Sequence, residues 1–436
     1  MDACGKLPQA KTRRARGDFD SKKDPKRIQS LQLTCMSVPQ PVLARSRPQL
    51  RKSLFRTLLL LVALLLGWGA LRGSDLRQFS LSDFGEYWAA GRLLLAGGNP
   101  YSAAALRGLQ SSVGFPQQDA IMMWNPPWAL SLVLPFALLP YQMASLLWLA
   151  VNAFLILFSA SILWKVFSAS GQGYVPLILA GTFVPGLINL RAGHLTPFML
   201  LGIAGFLGLQ RAQRPFLAGA SAALWLLKPH LLWLVLLLLG WDIVRHRRFR
   251  LLLGLLSGTA VLLAVPLLLQ PAVLQEYVSA IRAFPMLASY APNFGGLLRM
   301  AFGDQHHWLQ FAPCLPGFAF LIYAVARHQE SHWEHSFALL ALVSFITSPY
   351  GWSYDEVVLL PAFLQIAGRM REQPLWLRWT GLGIYLTANA AVLLVSLWRP
   401  HDAYLLWTSP MWLLLYCVGL SVTRPDPVPS TAANFA

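Results

Sequence analysis

The residues of this sequence that could carry out chemistry begin in one polar stretch, residues 81–101, which reads LSDFGEYWAAGRLLLAGGNPY. Asp83 and Glu86 stand three positions apart, so a helix would bring both carboxyl groups to one face. The segment Asn99-Pro100-Tyr101 would end that helix, because proline cannot continue the hydrogen-bond ladder. A carboxylate beside a membrane can deprotonate an attacking hydroxyl group. We therefore predict that the catalytic residues are Asp83 and Glu86.

Polar residues inside apolar runs are a second set of candidates, since a charge at the centre of a membrane helix costs about 2.5–3.5 kcal/mol. Lys228 and His230 interrupt the apolar run 215–244. The lysine could bind a lipid phosphate as a point charge, or it could reach the interface from a helix junction. Arg191 and His194 lie in a turn between two apolar runs, where they could contact a phosphate or a sugar, or form an ordinary loop.

A third polar segment, residues 348–356, reads SPYGWSYDE. Its aromatic residues could stack on a sugar ring or lie in the interfacial belt. Asp355 and Glu356 have a simpler explanation as acids at the start of a helix, where they complement its dipole. The aromatic residues that we predict as sugar or acceptor platforms are Tyr87, Trp88, Tyr350 and Trp352.

The composition indicates a membrane protein. The chain has 436 residues, of which 56% are hydrophobic and only 12% are charged, whereas soluble domains carry about 25% charged residues. The net charge of +17 does not indicate nucleic-acid binding. The basic residues are concentrated in the first 52 positions and in short clusters between apolar runs, such as residues 245–250, which is typical of cytoplasmic loops. We expect membrane lipids, and no nucleic acid, among its partners.

Metal and cofactor motifs give no support to a metalloenzyme or a nucleotide-dependent enzyme. The four cysteines are scattered without a paired spacing. His328, His332 and His335 have a regular spacing, but they fall in a predicted cytoplasmic loop and are better explained as solvated residues. No phosphate-binding or dinucleotide motif is present. We expect no metal and no cofactor.

The apolar runs define the elements that must position these residues. Leu58 to Leu71 predicts a first span, followed by an external loop over residues 73–125. The segment Pro126–Pro140 is shorter than the ~20 residues that a span needs, so we predict a broken or re-entrant piece, and Tyr141–Val166 predicts a full span. Splitting the run 215–244 at Lys228 gives twelve spans with both termini inside. The other predicted external loops are 191–194, 271–311, 349–354 and 398–403.

The predicted fold is therefore all-α: a polytopic bundle of about twelve transmembrane helices with a large first external loop. Residues 1–52 are expected to form a disordered, basic cytoplasmic tail. Residues 53–423 would form the membrane domain, and residues 424–436 a second cytoplasmic tail.

The motifs together resemble glycosyltransferase family 87. The most specific match is D-x-x-x-Y-W-A-A-G-x-x-x-L-x-G-x-N-P-Y, from Asp83 to Tyr101, followed by NPPW at Asn125–Trp128. Weaker matches are the turn with Asn189, Gly193 and His194, the segment LKPH at Leu227–His230, and SPYGWSYDE. The family usually has glycine and glutamine in that turn, whereas this chain has Gly193-His194, so His194 is a candidate contact of its own.

The resemblance implies a GT-C-like membrane transferase that uses a polyprenyl-phosphate sugar. It implies a metal-independent, inverting transfer of a hexosyl group, with mannosyl as one candidate, to a glycan or glycolipid acceptor on the outer face of the plasma membrane. The proposed base of the family corresponds to Asp83, which places Glu86 second. Arg191, His194, Lys228 and His230 would bind the substrate or its lipid phosphate. The alternative from a different class is a flippase or transporter of lipid-linked glycans without transferase activity.

Overall fold

The computed structural model describes residues 81–168, 173–283, 291–327, 333–399 and 401–423. The first of these ranges begins with the polar stretch 81–101. All of these described residues belong to one compact unit. The described residues form helices and turns without strands, in agreement with the predicted all-α class. The predicted tails, 1–52 and 424–436, and the predicted span Leu58–Leu71 lie outside the described residues.

The first helix, α1 (Phe84–Leu95), starts directly after Asp83. It ends before Gly97, whose φ of +68° belongs to the left-handed region that glycine adopts without strain. The Asn99 side chain then accepts a hydrogen bond from the Tyr101 backbone N–H at 2.8 Å, which forms a turn. The predicted helix and the turn at Asn99 are thus both present, but the helix ends at Leu95, four residues before the predicted Asn99.

Three further elements precede the long helices. The helix that follows the turn at Asn99 is α2 (Ala103–Ser112). A 3₁₀ turn, Pro127–Ala129, leads into α3 (Leu130–Ala137). The segment Pro126–Pro140 is thus a short helical piece, as expected for a run too short to cross a bilayer.

The central helix is α4 (Tyr141–Phe167), whose 27 residues confirm the predicted span. At 1.5 Å per residue it is about 40 Å long, enough to cross a bilayer with some tilt. It packs against α3, α5, α7 and α15. The helices that follow it are α5 (Val175–Thr182), α6 (Val184–Ala192), α7 (Thr196–Arg211), α8 (Pro215–Ala222), α9 (Trp233–Arg245), α10 (Phe249–Leu269), α11 (Val273–Ala283), α12 (Phe294–Phe302), α13 (Cys314–Arg327), α14 (Trp333–Ile346), α15 (Leu360–Met370), α16 (Leu375–Trp398) and α17 (Thr408–Val422).

Five helical segments of the described residues are long and apolar enough to cross a membrane. Two bent pairs raise the number to seven if each pair is one span. The predicted count of twelve is not confirmed, because many of the predicted apolar runs form helices of only 8 to 16 residues. The five segments are Tyr141–Phe167, Phe249–Leu269, His307–Arg327, Leu375–Trp398 and Asp402–Val422.

One of the two bent pairs, Pro215–Leu227 with Pro229–Arg245, turns by 119° at Lys228. Its first half is held against α10 by direct backbone contact. A Cβ added at Gly219 would lie 2.0 Å from the Leu251 carbonyl oxygen, and one added at Gly254 would lie 1.9 Å from the Phe216 oxygen. Glycine is therefore required at this crossing, as in other close contacts of membrane helices.

Candidate functional site

The break at Lys228 is held by the NPPW segment. Lys228 separates two 3₁₀ turns, Ala223–Leu227 and Pro229–Leu232, and carbonyls at such a break lose their helical partners. Asn125 Nδ2 donates to the Leu227 oxygen at 3.3 Å, and Trp128 Nε1 donates to the Leu226 oxygen at 2.9 Å. The first and last residues of the motif thus replace lost backbone bonds and keep the lysine in place.

Lys228 forms a buried ion pair with Asp355, from the 3₁₀ turn Ser353–Leu359. Its Nζ donates to Oδ1 at 2.9 Å and to Oδ2 at 3.0 Å, and the two side chains are 8% and 0% exposed. The lysine therefore does not extend to the interface, as one alternative proposed. Asp355 also accepts from the Thr196 hydroxyl at 2.8 Å and from the Trp352 backbone N–H at 3.3 Å. These four bonds occupy the acceptor sites of a carboxylate.

A directed chain of hydrogen bonds leads from α1 to this pair. A hydroxyl has one proton, and Thr196 donates it to Asp355. Thr196 Oγ1 must therefore accept from His194 Nδ1, which lies 2.9 Å away. His194 Nε2 then carries no proton and accepts from the Tyr87 hydroxyl at 2.7 Å. Burial, together with the charge of Lys228, lowers the pKa of His194 well below its ordinary value, which fits this neutral ring.

Three nearly parallel aromatic rings line the ion pair. The His194 and Tyr354 rings stack at 4.6 Å and 20°, and the Tyr354 and Trp352 rings lie 6.1 Å apart at 4°. Lys228 Nζ is 5.3 Å from the Tyr354 ring centre and 5.4 Å from that of Trp352. Such contacts stabilise an ammonium group. Trp352 and Tyr354 are half-buried, so this row reaches the edge of the packed interior.

Asp83 lies at the start of α1 and is fixed through its backbone. Its N–H donates to the Ala192 oxygen at 2.9 Å, next to Gly193, whose φ is +75°. The Trp148 indole N–H donates to the Gly193 oxygen at 2.7 Å and ties this turn to α4. Among the described residues, only its neighbour Ser82 offers the Asp83 carboxyl group a side-chain hydrogen bond. The half-buried carboxyl group of Asp83 thus keeps acceptor sites that Asp355 has used.

Burial raises the pKa of Asp83 to about 6, against the opposing effects of the Ser82 hydrogen bond and the positive charge of Lys228. The charges of Asp355 and Asp402 raise it further. The cluster therefore places Asp83 within the electrostatic field of the ion pair. A carboxyl group with a pKa near neutrality is suited to accept a proton.

Glu86 is buried on the same helix, with 6% of its surface exposed. Burial and the negative charge of Asp83 raise its pKa well above the ordinary value. Both effects favour the neutral acid form of Glu86. A neutral acid cannot accept a proton, which makes it a poorer base than Asp83.

The other predicted residues fall into two groups. The Tyr87 and Trp88 rings are buried, and the Trp88 indole donates to the Leu139 oxygen at 3.0 Å, so neither presents a free face to a sugar. His194 uses both ring nitrogens inside the protein and has no N–H left for a phosphate. Both observations point to an internal structural role for these three residues.

Arg191, His230 and Tyr350 remain accessible or unsatisfied. Arg191 is exposed at the end of α6 and contacts no described acid. His230 is half-buried, and its Nε2 has no hydrogen-bond partner among the described residues. Its ring meets the half-buried Tyr350 edge-on at 6.0 Å. Arg191 and Tyr350 are thus accessible at the surface, whereas the unpartnered Nε2 atom of His230 is itself buried.

Sequence reasoning missed the central place of Asp355, and it missed Thr196 and Tyr354 as its companions. Asp355 was interpreted as a helix-start acid, which is correct but incomplete, since it also accepts from its own cap residue, Trp352. Its neighbour Glu356 is buried and accepts from the Thr408 hydroxyl and the Trp412 indole. The available signal was composition alone, since Lys228 is a lone lysine within an apolar run and Asp355 is an acid that precedes another apolar run.

Comparison with known proteins gives the family of the chain. The model of glycosyltransferase family 87 matches residues 124–349, just over half of the chain. That region includes the NPPW segment, His194 and Lys228, and it ends beside Tyr350. No curated protein matches the chain. The match and the apolar helices together indicate a membrane glycosyltransferase.

Proposed function

The chain belongs to glycosyltransferase family 87, and from this premise we propose that it transfers a hexosyl group from a polyprenyl-phosphate sugar to a lipid-linked or envelope glycan. Mannosyl is the first sugar to test. We assign the reaction to residues 53–423 and to the outer face of the plasma membrane, opposite the basic cytoplasmic clusters. The observation that carries this proposal is the contrast between Asp355, which is bonded to Lys228, and Asp83, which feels the charge of that lysine and has only Ser82 as a side-chain hydrogen-bond partner among the described residues.

Asp83 is the proposed general base. Asp355 has used its four acceptor sites, whereas Asp83 keeps free ones and has a pKa of about 6. Environments that separate two carboxyl groups in this way commonly separate their roles. Asp83 accepts the proton of the acceptor's hydroxyl group, while the oxygen of that hydroxyl group attacks the anomeric carbon of the sugar. The bond from that carbon to the phosphate oxygen breaks, and its electron pair leaves with the lipid phosphate.

Lys228 is the proposed contact for that leaving phosphate. An ammonium group has three donors, and Asp355 takes two of them. The third can stabilise the charge that develops on the phosphate. Arg191 and His230 are further proposed contacts, and Tyr350 and Trp352 are the proposed platforms for the sugar or acceptor.

The proposal is tested with purified protein and a labelled polyprenyl-phosphate hexose. Asp83→Asn is expected to lower the transfer rate by about 10²–10⁴, the usual contribution of a general base. Asp119→Asn is the matched control, because Asp119 is an exposed acid of the same predicted external loop, 73–125, and lies between α2 and α3. Wild-type turnover by Asp83→Asn would exclude this role. Transport of the lipid-linked sugar across liposomes without any transfer would instead favour the flippase.

A further inference from the structure

Two short helices lie between a pair of candidate spans. α11 follows α10 after three residues, and α12 precedes the span His307–Arg327. At 1.5 Å per residue, α11 is about 16 Å long and α12 about 14 Å, so neither can cross a hydrocarbon core of about 30 Å. Both helices are connected to spans, however, and therefore stay near the membrane.

α11 has a protein-facing side and an exposed apolar side. Val273 is buried, and the Tyr277 ring packs 5.2 Å from that of Tyr101. Leu274, Val278 and Ile281 follow one another at helical spacing and are 38–44% exposed. Exposed apolar residues in such a row require a covering environment other than water.

The third side of α11 is polar. Gln275, Ser279 and Arg282 are exposed and lie next to the apolar row on the helical wheel. One side of the helix thus faces protein, one is apolar and one is polar. This division is what a helix needs when it lies in the plane of a membrane interface, beside a protein.

α12 lacks the polar side. Its exposed large side chains, Phe294, Leu297, Met300 and Phe302, are all apolar. Further along the chain, Trp308 and, in α13, Leu315 and Phe318 are exposed apolar residues as well, and they follow the exposed polar residues 304–307.

The inner side of α12 is tied to the candidate site. Arg299 is fully buried and donates to Gln310 Oε1 at 3.1 Å. Gln310 in turn donates to Asn293 Oδ1 at 3.2 Å, and Asn293 Nδ2 donates to the Ser348 oxygen at 3.0 Å. Ser348 begins the turn that carries Tyr350 and Trp352. The helix is thus joined by a short series of hydrogen bonds to the proposed platforms.

We propose that α11 and α12 lie in the bilayer interface, with their exposed apolar side chains among the acyl chains of the leaflet opposite the Arg245–Arg250 cluster. α10 connects that cluster to α11, which places them at opposite ends of one span. Lipid is the occupant because only three residues separate α11 from the candidate span α10, and only four separate α12 from the candidate span His307–Arg327. The polar side of α11 then faces water.

The test uses spin labels on single cysteines in full-length protein in nanodiscs, with the four native cysteines replaced by serine. Val278→Cys and Ile281→Cys report on the apolar side, and Gln275→Cys and Ser279→Cys are matched controls on the polar side. Oxygen partitions into lipid and a nickel chelate stays in water. We expect a higher ratio of oxygen to nickel accessibility at 278 and 281 than at the controls, and the same high ratio at Leu297→Cys.

Two results would overturn the proposal. Equal ratios at both pairs would contradict it, because equally low ratios place the apolar side in water and equally high ratios place the polar side in lipid. Low accessibility of 278 and 281 to both reagents would mean that a second protein surface, such as another copy of the chain, covers them. Neither readout depends on the transfer reaction, so the outcome is independent of the proposed function.

Discussion

Substitution of one partner of the Lys228–Asp355 ion pair is expected to destabilise the protein more than substitution of an exposed charged residue. Because the side chains are 8% and 0% exposed, solvent screens their interaction only weakly. Removal of one partner from a buried pair typically costs about 3–5 kcal/mol, since it leaves an uncompensated charge. Asp355→Asn should reach this range, because Lys228 would lose its carboxylate partner. Lys228→Met should cost less, because Asp355 keeps its bonds from Thr196 and the Trp352 N–H.

The double variant Lys228→Met with Asp355→Asn separates the pair energy from other effects. Neither charge remains in the double variant. Its loss of unfolding free energy should therefore be smaller than the sum of the losses in the two single variants by about 2 kcal/mol or more, within the usual range for residues in contact. The free energy of unfolding can be followed by tryptophan fluorescence in SDS–detergent mixtures. High salt should change the coupling little. Additive losses, or a coupling that disappears in salt, would refute the buried-pair interpretation.

Three further predictions concern the same region. The transfer rate at low substrate should fall about tenfold per pH unit below a pH of about 6, because Asp83 must be deprotonated to act as a base; a flat profile from pH 5 to 7 would contradict this. Gly193→Ala should destabilise by more than Gly114→Ala in the same unfolding assay, since both have positive φ but only the first Cβ would meet neighbouring side chains. Tyr87→Phe should cost about 1–3 kcal/mol of unfolding free energy by leaving His194 Nε2 without its donor, and a loss below 0.5 kcal/mol would exclude that bond.

Local features of the fold were predictable from the sequence. Asp83 at a helix start, the turn at Asn99 and the long helix from Tyr141 each depend on propensities and periodicity within a few residues. The break at Lys228 was also predictable, because proline and a charge in a long apolar run both disfavour one continuous span. The count of spans was not, because short apolar runs give the same pattern whether they cross the bilayer or pack inside the protein.

The candidate site was predictable only in its separate parts. Lys228, His194 and Asp83 were each identified from their own surroundings. Asp355 pairs with a lysine 127 residues away and a threonine 159 residues away, and such contacts leave no trace in local spacing. The full use of the Asp355 acceptor sites and the position of the single proton on the neutral His194 ring are properties of the assembled network. No single segment of the sequence contains them.

The separation of 127 residues between Lys228 and Asp355 has a consequence for biogenesis. Lys228 leaves the ribosome before its partner exists, and synthesis at about 5–20 residues per second makes it wait roughly 6–25 s. During that time an unpaired lysine in the bilayer would cost about 2.5–3.5 kcal/mol. We expect the segment around Lys228 to stay near the translocon or the water interface and to take its bent form only when Asp355 arrives. The segment around Lys228 would then reach its final position only after the C-terminal half of the enzyme has been synthesised.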